Sequence, residues 1–197
     1  EALIKSMRRD PFWGVQAAAA EALGTMRTDG ARDALIKALS SKHPKVRRAI
    51  VRALGQFRRD EVASAALDRV VRKGDTSYFV EAEACLSLGK VGCSQSIEPL
   101  RAATQRDSFM DVIRTHAYQG LAELHTDDVL DILVAGTEYG KVSHGRRSAL
   151  LAAAQVVRSR RDREASKIGN LARDLLFDKD FRVQAAAIEA LGTIGDT

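Results

Sequence analysis

Aromatic residues are scarce in this chain: Phe, Trp and Tyr together make up 5% of 197 residues. The apolar content of 45% is therefore mostly Ala, Leu, Val and Ile. Small side chains of this kind suit helices that approach closely, because Ala has the best helix propensity and takes little space. Three prolines leave long stretches without a helix breaker. No apolar run has membrane-spanning length, since Arg, Lys, Asp or Glu interrupts each one. The opening Glu1-Ala2-Leu3-Ile4-Lys5 is not a signal peptide. Cysteine is limited to Cys85 and Cys93, read as packed or surface thiols rather than a disulfide or a metal pair, with a lean toward a reducing, cytoplasmic compartment. The charge of +5 and pI near 9.4 admit an anionic partner, but 26 acidic residues lie among 31 basic ones. That mixture reads as solvated helix faces.

What is present is a repeat. An apolar residue, a polar pair, small residues three and four later, and then Ala-Leu-Gly run from Val15 to Gly24, Val46 to Gly55, Val80 to Gly89 and Val183 to Gly192. A weaker copy runs from Ile113 to Ala122 and a degenerate one from Gly145 to Ala154. A period in the thirties with helix signals throughout means a two-helix unit stacked into an α-solenoid. Offsets 0, +3, +4, +7 and +8 form one helical stripe. The closing Gly is expected to take the left-handed conformation that ends a helix. Asp10-Pro11, His43-Pro44, Asp75-Thr76-Ser77, Asp107-Ser108 and Asp178-Lys179-Asp180 are expected to cap these second helices. First helices are expected near 31–39, 62–71, 97–104, 129–137 and 164–177, with residues 1–8 the tail of another. The expected domain is thus one all-α stack over 1–197, in units of approximately 1–26, 27–58, 59–92, 93–125, 126–159 and 160–197. The absence of an initiating Met and the stop at Gly195-Asp196-Thr197 read as a piece of a longer protein with both ends uncapped.

With this period and stripe the chain resembles a HEAT-repeat protein over its whole length, which implies a right-handed α-α superhelix of HEAT/ARM type with about six helical hairpins. Several runs are also similar to the C-terminal helical region of the aminopeptidase N-like zinc metallopeptidases. They include Asp10-Pro11-Phe12-Trp13-Gly14-Val15, His43-Pro44-Lys45-Val46-Arg47-Arg48-Ala49, Gly74-Asp75-Thr76-Ser77-Tyr78-Phe79-Val80, Phe109-Met110-Asp111-Val112-Ile113-Arg114, Tyr139-Gly140 and Asp180-Phe181-Arg182-Val183. The resemblance implies that zinc and the catalytic residues belong to an upstream domain, on which the helical region packs to wall off the active-site chamber. None of the family's catalytic motifs occurs here, so none of its catalytic residues is carried over.

A zincin needs His-Glu-x-x-His, and none of His43, His116, His125 and His144 is followed by Glu. His43 is expected to cap a helix and His116 to pack between helices. The missing His-Glu pairs also argue against HEAT-type di-iron hydroxylases, whose ligands would repeat on facing helices. Neither a phosphate loop nor a Gly-x-Ser-x-Gly elbow is present, and Ser148 and Ser166 have no base arranged nearby. The fragment is expected to carry no catalytic, metal or cofactor site of its own.

Offset +1 reads Gln16, Arg47, Glu81, Arg114, Arg146 and Gln184. Arg47, Arg114 and Arg146 are expected to form an inter-repeat ladder with Asp residues of adjacent units. Offset +5 reads Ala20, Val51, Cys85, Tyr118, Leu150 and Ile188, with Leu86 and Leu151 beside it. These either line a concave docking stripe or are buried by curvature of the stack. The concave reading gives a contact set of Arg48, Val51, Arg52, Tyr118, Gln119, Arg147, Leu150 and Leu151. The basic runs Arg58-Arg59 and Arg158-Ser159-Arg160-Arg161-Asp162-Arg163-Glu164 fall between units, and Trp13, Tyr78, Tyr118 and Tyr139 are scattered rather than interleaved with them. That pattern disfavours nucleic acid.

Three functions follow in order: a C-terminal scaffold of a zinc aminopeptidase-like chain that docks on the catalytic domain and limits peptide access; a free-standing scaffold for another protein; and, behind these, a DNA-binding HEAT protein of the alkylpurine-glycosylase type. Self-association through the uncapped ends is expected, with Phe12 and Trp13 near the first.

Overall fold

Capping side chains start several helices. Thr28 accepts from the Ala31 N–H at α3 (Asp29–Lys37), and Asp60 accepts from the Ala63 N–H at 2.8 Å at α5 (Glu61–Lys73). His43 Nδ1 accepts from the Lys45 N–H at α4 (Pro44–Leu54), where Pro44 occupies the first turn and sacrifices no hydrogen bond. Asp180 accepts from the Arg182 N–H at α12 (Phe181–Ile194). Asp10, Asp75 and Asp178 do something different from the expected capping. Each accepts from the N–H two residues on (Phe12, Ser77 and Asp180), folding the loop itself.

The computed structural model describes residues 1–124, 126, 128–158 and 163–195. Among these residues there is no strand. The remaining helices are α1 (Ala2–Arg9), α2 (Trp13–Met26), α6 (Tyr78–Val91), α7 (Ile97–Ala103), α8 (Val112–Leu124), α9 (Val129–Gly136), α10 (Ser143–Val157) and α11 (Arg163–Leu175). Odd and even helices pair as hairpins, and each even helix packs on the next even helix from α2 through α12. The odd helices meet one another far less, so the row bends toward the even helices. This is an all-α superhelix, a line of units rather than a closed bundle. Its accessible surface of 10583 Å² exceeds the roughly 9,100 Å² of a compact protein of this mass.

The small residues of the repeat set how closely the even helices approach. The glycine at offset +9 does not close its helix in the left-handed conformation: Gly24 and Gly89 lie inside α2 and α6, and Gly55, at the C-terminal end of α4, is right-handed. The left-handed closing positions are Arg27, Gly92 and Gly195. The repeat glycines instead face offset +7 of the next unit. A Cβ on Gly24 would meet Ala53 at 2.8 Å, one on Gly55 would meet Ser87 at 2.9 Å, and one on Gly89 would meet the Gly120 carbonyl oxygen at 2.0 Å. At the last unit Gly192 has open space around it.

Offset +5 follows the same logic. Ala20, Val51, Cys85, Tyr118 and Leu150, each with a described unit after it, are buried, and Ile188 on α12 is 65% exposed. Burying each such side chain against the next unit is worth about 1.5–3 kcal/mol for the larger ones.

Candidate functional site

The second-helix face takes its electrostatics from a buried carboxylate. Glu83, on α6 at offset +3, is a Glu where other copies have Ala, Ser or His, and its side chain is only 5% exposed. Arg48 Nε lies 2.9 Å from Glu83 Oε2, and Arg52 Nη2 lies 2.8 Å from the same oxygen. Arg52 also stands 3.6 Å from Glu21 on α2, so three consecutive units are joined. Burial opposes ionisation of Glu83, but hydrogen bonds from Arg52 and Arg48 outweigh it and hold the carboxyl below the usual glutamate range. The two guanidiniums stay partly exposed, and Arg48 lies over the Phe79 ring at 5.8 Å. Among the contact set, Gln119 and Arg147 are exposed and Leu151 is half-buried.

Three members of that set face elsewhere. Val51 and Leu150 are buried by the packing of successive even helices, Leu150 in a cluster with Ala186, Ala187 and Ala190 of α12. Tyr118 points between the odd helices: a Cβ on Gly136 of α9 would touch its hydroxyl, and its ring floors an open cleft of about 690 Å³ between α7 and α9. Burial raises the Tyr118 phenol above its ordinary range. The apolar stripe at offset +5 is therefore interior, and what remains on the second-helix face is mostly polar. Sequence reasoning placed these residues on the right helices and assumed too wide an exposed arc. It missed Glu83, whose only signal was a charge in a stripe otherwise built of small residues.

Every offset +1 residue fastens the loop before its own helix. Gln16 donates to Asp10 O, Arg47 to Ser41 O, Arg114 to Thr104 O, Arg146 to Thr137 O and Gln184 to Asp178 O; Glu81 accepts from the Asp75 N–H. Two of the three ladder arginines also cross to the next unit. Arg47 grips Asp75 with two bonds of 2.7 Å, and Arg146 grips Asp178 at 3.1 and 2.5 Å. Burial opposes ionisation of Asp75, yet the Arg47 hydrogen bond holds it low; Asp178 is held low by its bond to Arg146. Between the third and fourth units the polarity is reversed, with Arg106 reaching back 3.1 Å to Glu81.

Arg114 departs from the ladder, pairing with Asp107 and Asp111 of its own unit. Glu138, the one carboxylate in the 137–142 loop of the following unit, pairs with Lys141 instead. The Arg114–Asp111 pair also accounts for the degenerate start of the fifth copy. A Cβ on Gly145 would fall 2.6 Å from Asp111 Oδ2 and 2.9 Å from Arg114 Cδ.

The other singled-out residues are structural in placement. His43 stacks on Trp13, with ring centroids 5.2 Å apart, and His116 Nδ1 bonds Val112 O within its own helix. Ser148 Oγ donates to Thr115 O of the preceding unit. Cys85 and Cys93 are buried and unpaired, and burial pushes the Cys85 thiol up to about 12. Arg58 lies 3.9 Å from Glu123, and the Arg59 N–H donates to Val91 O. His125 and 159–162 of the denser basic run lie outside the described residues. Among the described residues, no three His, Cys, Asp or Glu side chains gather where they could hold a metal ion. Among the described residues, no helix is long and apolar enough to cross a membrane.

A family model described as HEAT repeats matches residues 1–82. No curated protein matches. Among solved structures, an engineered protein aligns over 98% of this chain and 95% of its own, at 18% identity and a TM-score of 0.55. A chain from the complex of CpcE and CpcF of phycocyanin lyase from Nostoc sp. PCC7120 aligns over 98% of this chain and 76% of its own, at 21% identity and a TM-score of 0.64. The likeness is one of fold, a solenoid of helical hairpins.

Proposed function

We propose that this HEAT-repeat stack is a non-catalytic scaffold that holds a protein partner against its second-helix face. The observation that carries the reading is the pair Arg48 and Arg52. Both guanidiniums are fixed by the buried Glu83, yet both keep an exposed side toward which an acidic partner group can turn. Side chains already ordered lose little entropy on binding. Exposed Gln119 and Arg147, with half-buried Leu151, extend the same face along the row.

The narrower reading is that the partner is the catalytic domain of the same longer chain, a zinc aminopeptidase-like enzyme whose access the stack restricts. Its support is the set of sequence runs quoted for that resemblance. Zinc would then lie in the upstream domain and would use no ligand from this chain.

A photo-crosslinking residue at Gln119 of the full-length protein tests both. The scaffold reading expects an adduct that disappears when Arg48→Gln, Arg52→Gln and Glu83→Gln are combined, a neutral set that leaves no buried charge unpaired. An adduct within the same chain supports the enzyme-domain version, and one with another protein supports the free-standing version. An adduct unaffected by the triple change, or none at all, removes the second-helix face as the binding surface.

A further inference from the structure

The few aromatic residues are unevenly placed. Of ten, Phe57 and Tyr118 alone are buried. The other eight lie in, or within two residues of, the loops that join first to second helices, as Phe12, Phe79, Phe109, Tyr139 and Phe181 illustrate. Trp13, Tyr78 and Tyr139 are scattered along the sequence but share one edge in space. The loops are neighbours because Arg47 bridges to Asp75, Arg106 to Glu81, and Arg146 to Asp178, while Trp13 stacks on His43. The loop before α4 alone has no aromatic ring of this class, and His43 stands in its place.

This edge combines apolar and cationic character. Phe109, Tyr139 and Phe181 are each about two-thirds exposed or more, which exceeds what water-facing loops need. Lys45 Nζ lies 4.2 Å from the Trp13 ring, Lys179 Nζ 5.5 Å from Tyr139, and the Arg182 guanidinium 4.6 Å from Phe181. Lys45 and Lys179 have no carboxylate partner among the described residues, so their charge is available. Asp10, Asp107 and Glu138 stand among the rings as well. A continuous phosphate backbone would bring a charge at every nucleotide past those carboxylates, whereas an acidic peptide needs a charge at no more than one residue in three.

Spacing selects the peptide conformation. Packed helices repeat every 8–10 Å or so. A polyproline II segment advances about 9.3 Å per three-residue turn and returns the same side to the same face. A β-strand would turn every third side chain to the opposite face. We propose that the loop edge binds an extended, acidic, proline-containing peptide in the polyproline II conformation, with one apolar side chain per repeat. This surface meets the second-helix face where Arg48 lies over Phe79, and the proposal stands without that face.

The probe is a synthetic peptide of repeated Leu-Asp-Pro triplets, followed by emission of Trp13, the chain's single tryptophan, with titration calorimetry in parallel. Saturable binding is expected, weakened about tenfold or more by Phe109→Ser with Phe181→Ser, in keeping with aromatic anchors at interfaces. Both rings are exposed, so the melting temperature of that variant should stay at the wild-type value. A shuffled peptide without the three-residue leucine spacing and a Leu-Lys-Pro repeat should bind far more weakly. No heat or emission change with Leu-Asp-Pro, equal binding of the shuffled peptide, or indifference to the double variant overturns the proposal. Tighter binding of a thymidine oligonucleotide than of the peptide also overturns it and assigns the edge to nucleic acid.

Discussion

Gly89→Ala and Gly192→Ala make the same chemical change at the same repeat offset and should have opposite effects. Both glycines lie within helices, where Ala is favoured by up to about 1 kcal/mol. Around Gly192 nothing stands within 4 Å of the added methyl, so that gain should appear undiminished. At Gly89 the methyl would sit 2.0 Å from the Gly120 carbonyl oxygen and 2.5 Å from its Cα, both of them backbone. No rotamer change relieves the overlap, so α6 and α8 must part by roughly an ångström or more in a close-packed interior. Overpacking of this kind costs about 1–3 kcal/mol and occasionally more. The helix gain is common to both, so the two variants should differ by the overpacking cost, about 1–3 kcal/mol, or roughly 2–12 °C in melting temperature for a chain of this size. Thermal melts followed by circular dichroism and urea titrations read the difference directly. Equal stability of the two variants, or a Gly89→Ala protein firmer than wild type, would refute the close-approach reading of the repeat glycine.

Acid should loosen the stack. Glu83, Asp75 and Asp178 are all held low in the folded state, so their stabilisation is full above the unfolded carboxylate range near pH 4 and is lost as pH falls through the folded values. Urea midpoints measured from pH 7 down to pH 3 should fall, and less steeply in the neutral Arg48→Gln, Arg52→Gln, Glu83→Gln protein; parallel curves would contradict this. Arg146→Ala leaves Asp178 without its fork and should cost about 1.5–3 kcal/mol, whereas Arg72→Ala, which breaks an exposed pair with Asp68 one turn away, should cost about 0.5 kcal/mol or less. Similar urea midpoints for the two would count against the inter-repeat grip. At pH 8 a maleimide should label neither Cys85 nor Cys93 in the native protein and both after unfolding; native labelling at the unfolded rate would show that the unit burying them opens freely.

The helical units were legible because hydrophobic period is a local property. The copies from Val46 to Leu54 and from Val183 to Ala190 carry their stripe and supply their own start signals. What the sequence concealed depends on neighbours. Whether Val51 faces a partner or the next helix depends on how far apart two even helices stand, and that depends on Gly55 and Ser87 together. Arg47, Arg114 and Arg146 look alike in one dimension, but their pairing is decided by whether the following loop offers a free carboxylate. The aromatic edge was hidden for the same reason: rings tens of residues apart become a row only when the loops come into register.

The central claim, a line of hairpins each leaning on the next, is tested most directly by small-angle X-ray scattering of the dilute chain. A single closed domain of this length has a radius of gyration of about 16 Å. Six layers spaced by about 9–10 Å predict about 19 Å or more, with a skewed pair-distance distribution. A value near 16 Å with a symmetric distribution would contradict the solenoid, and with it both surfaces that the row presents.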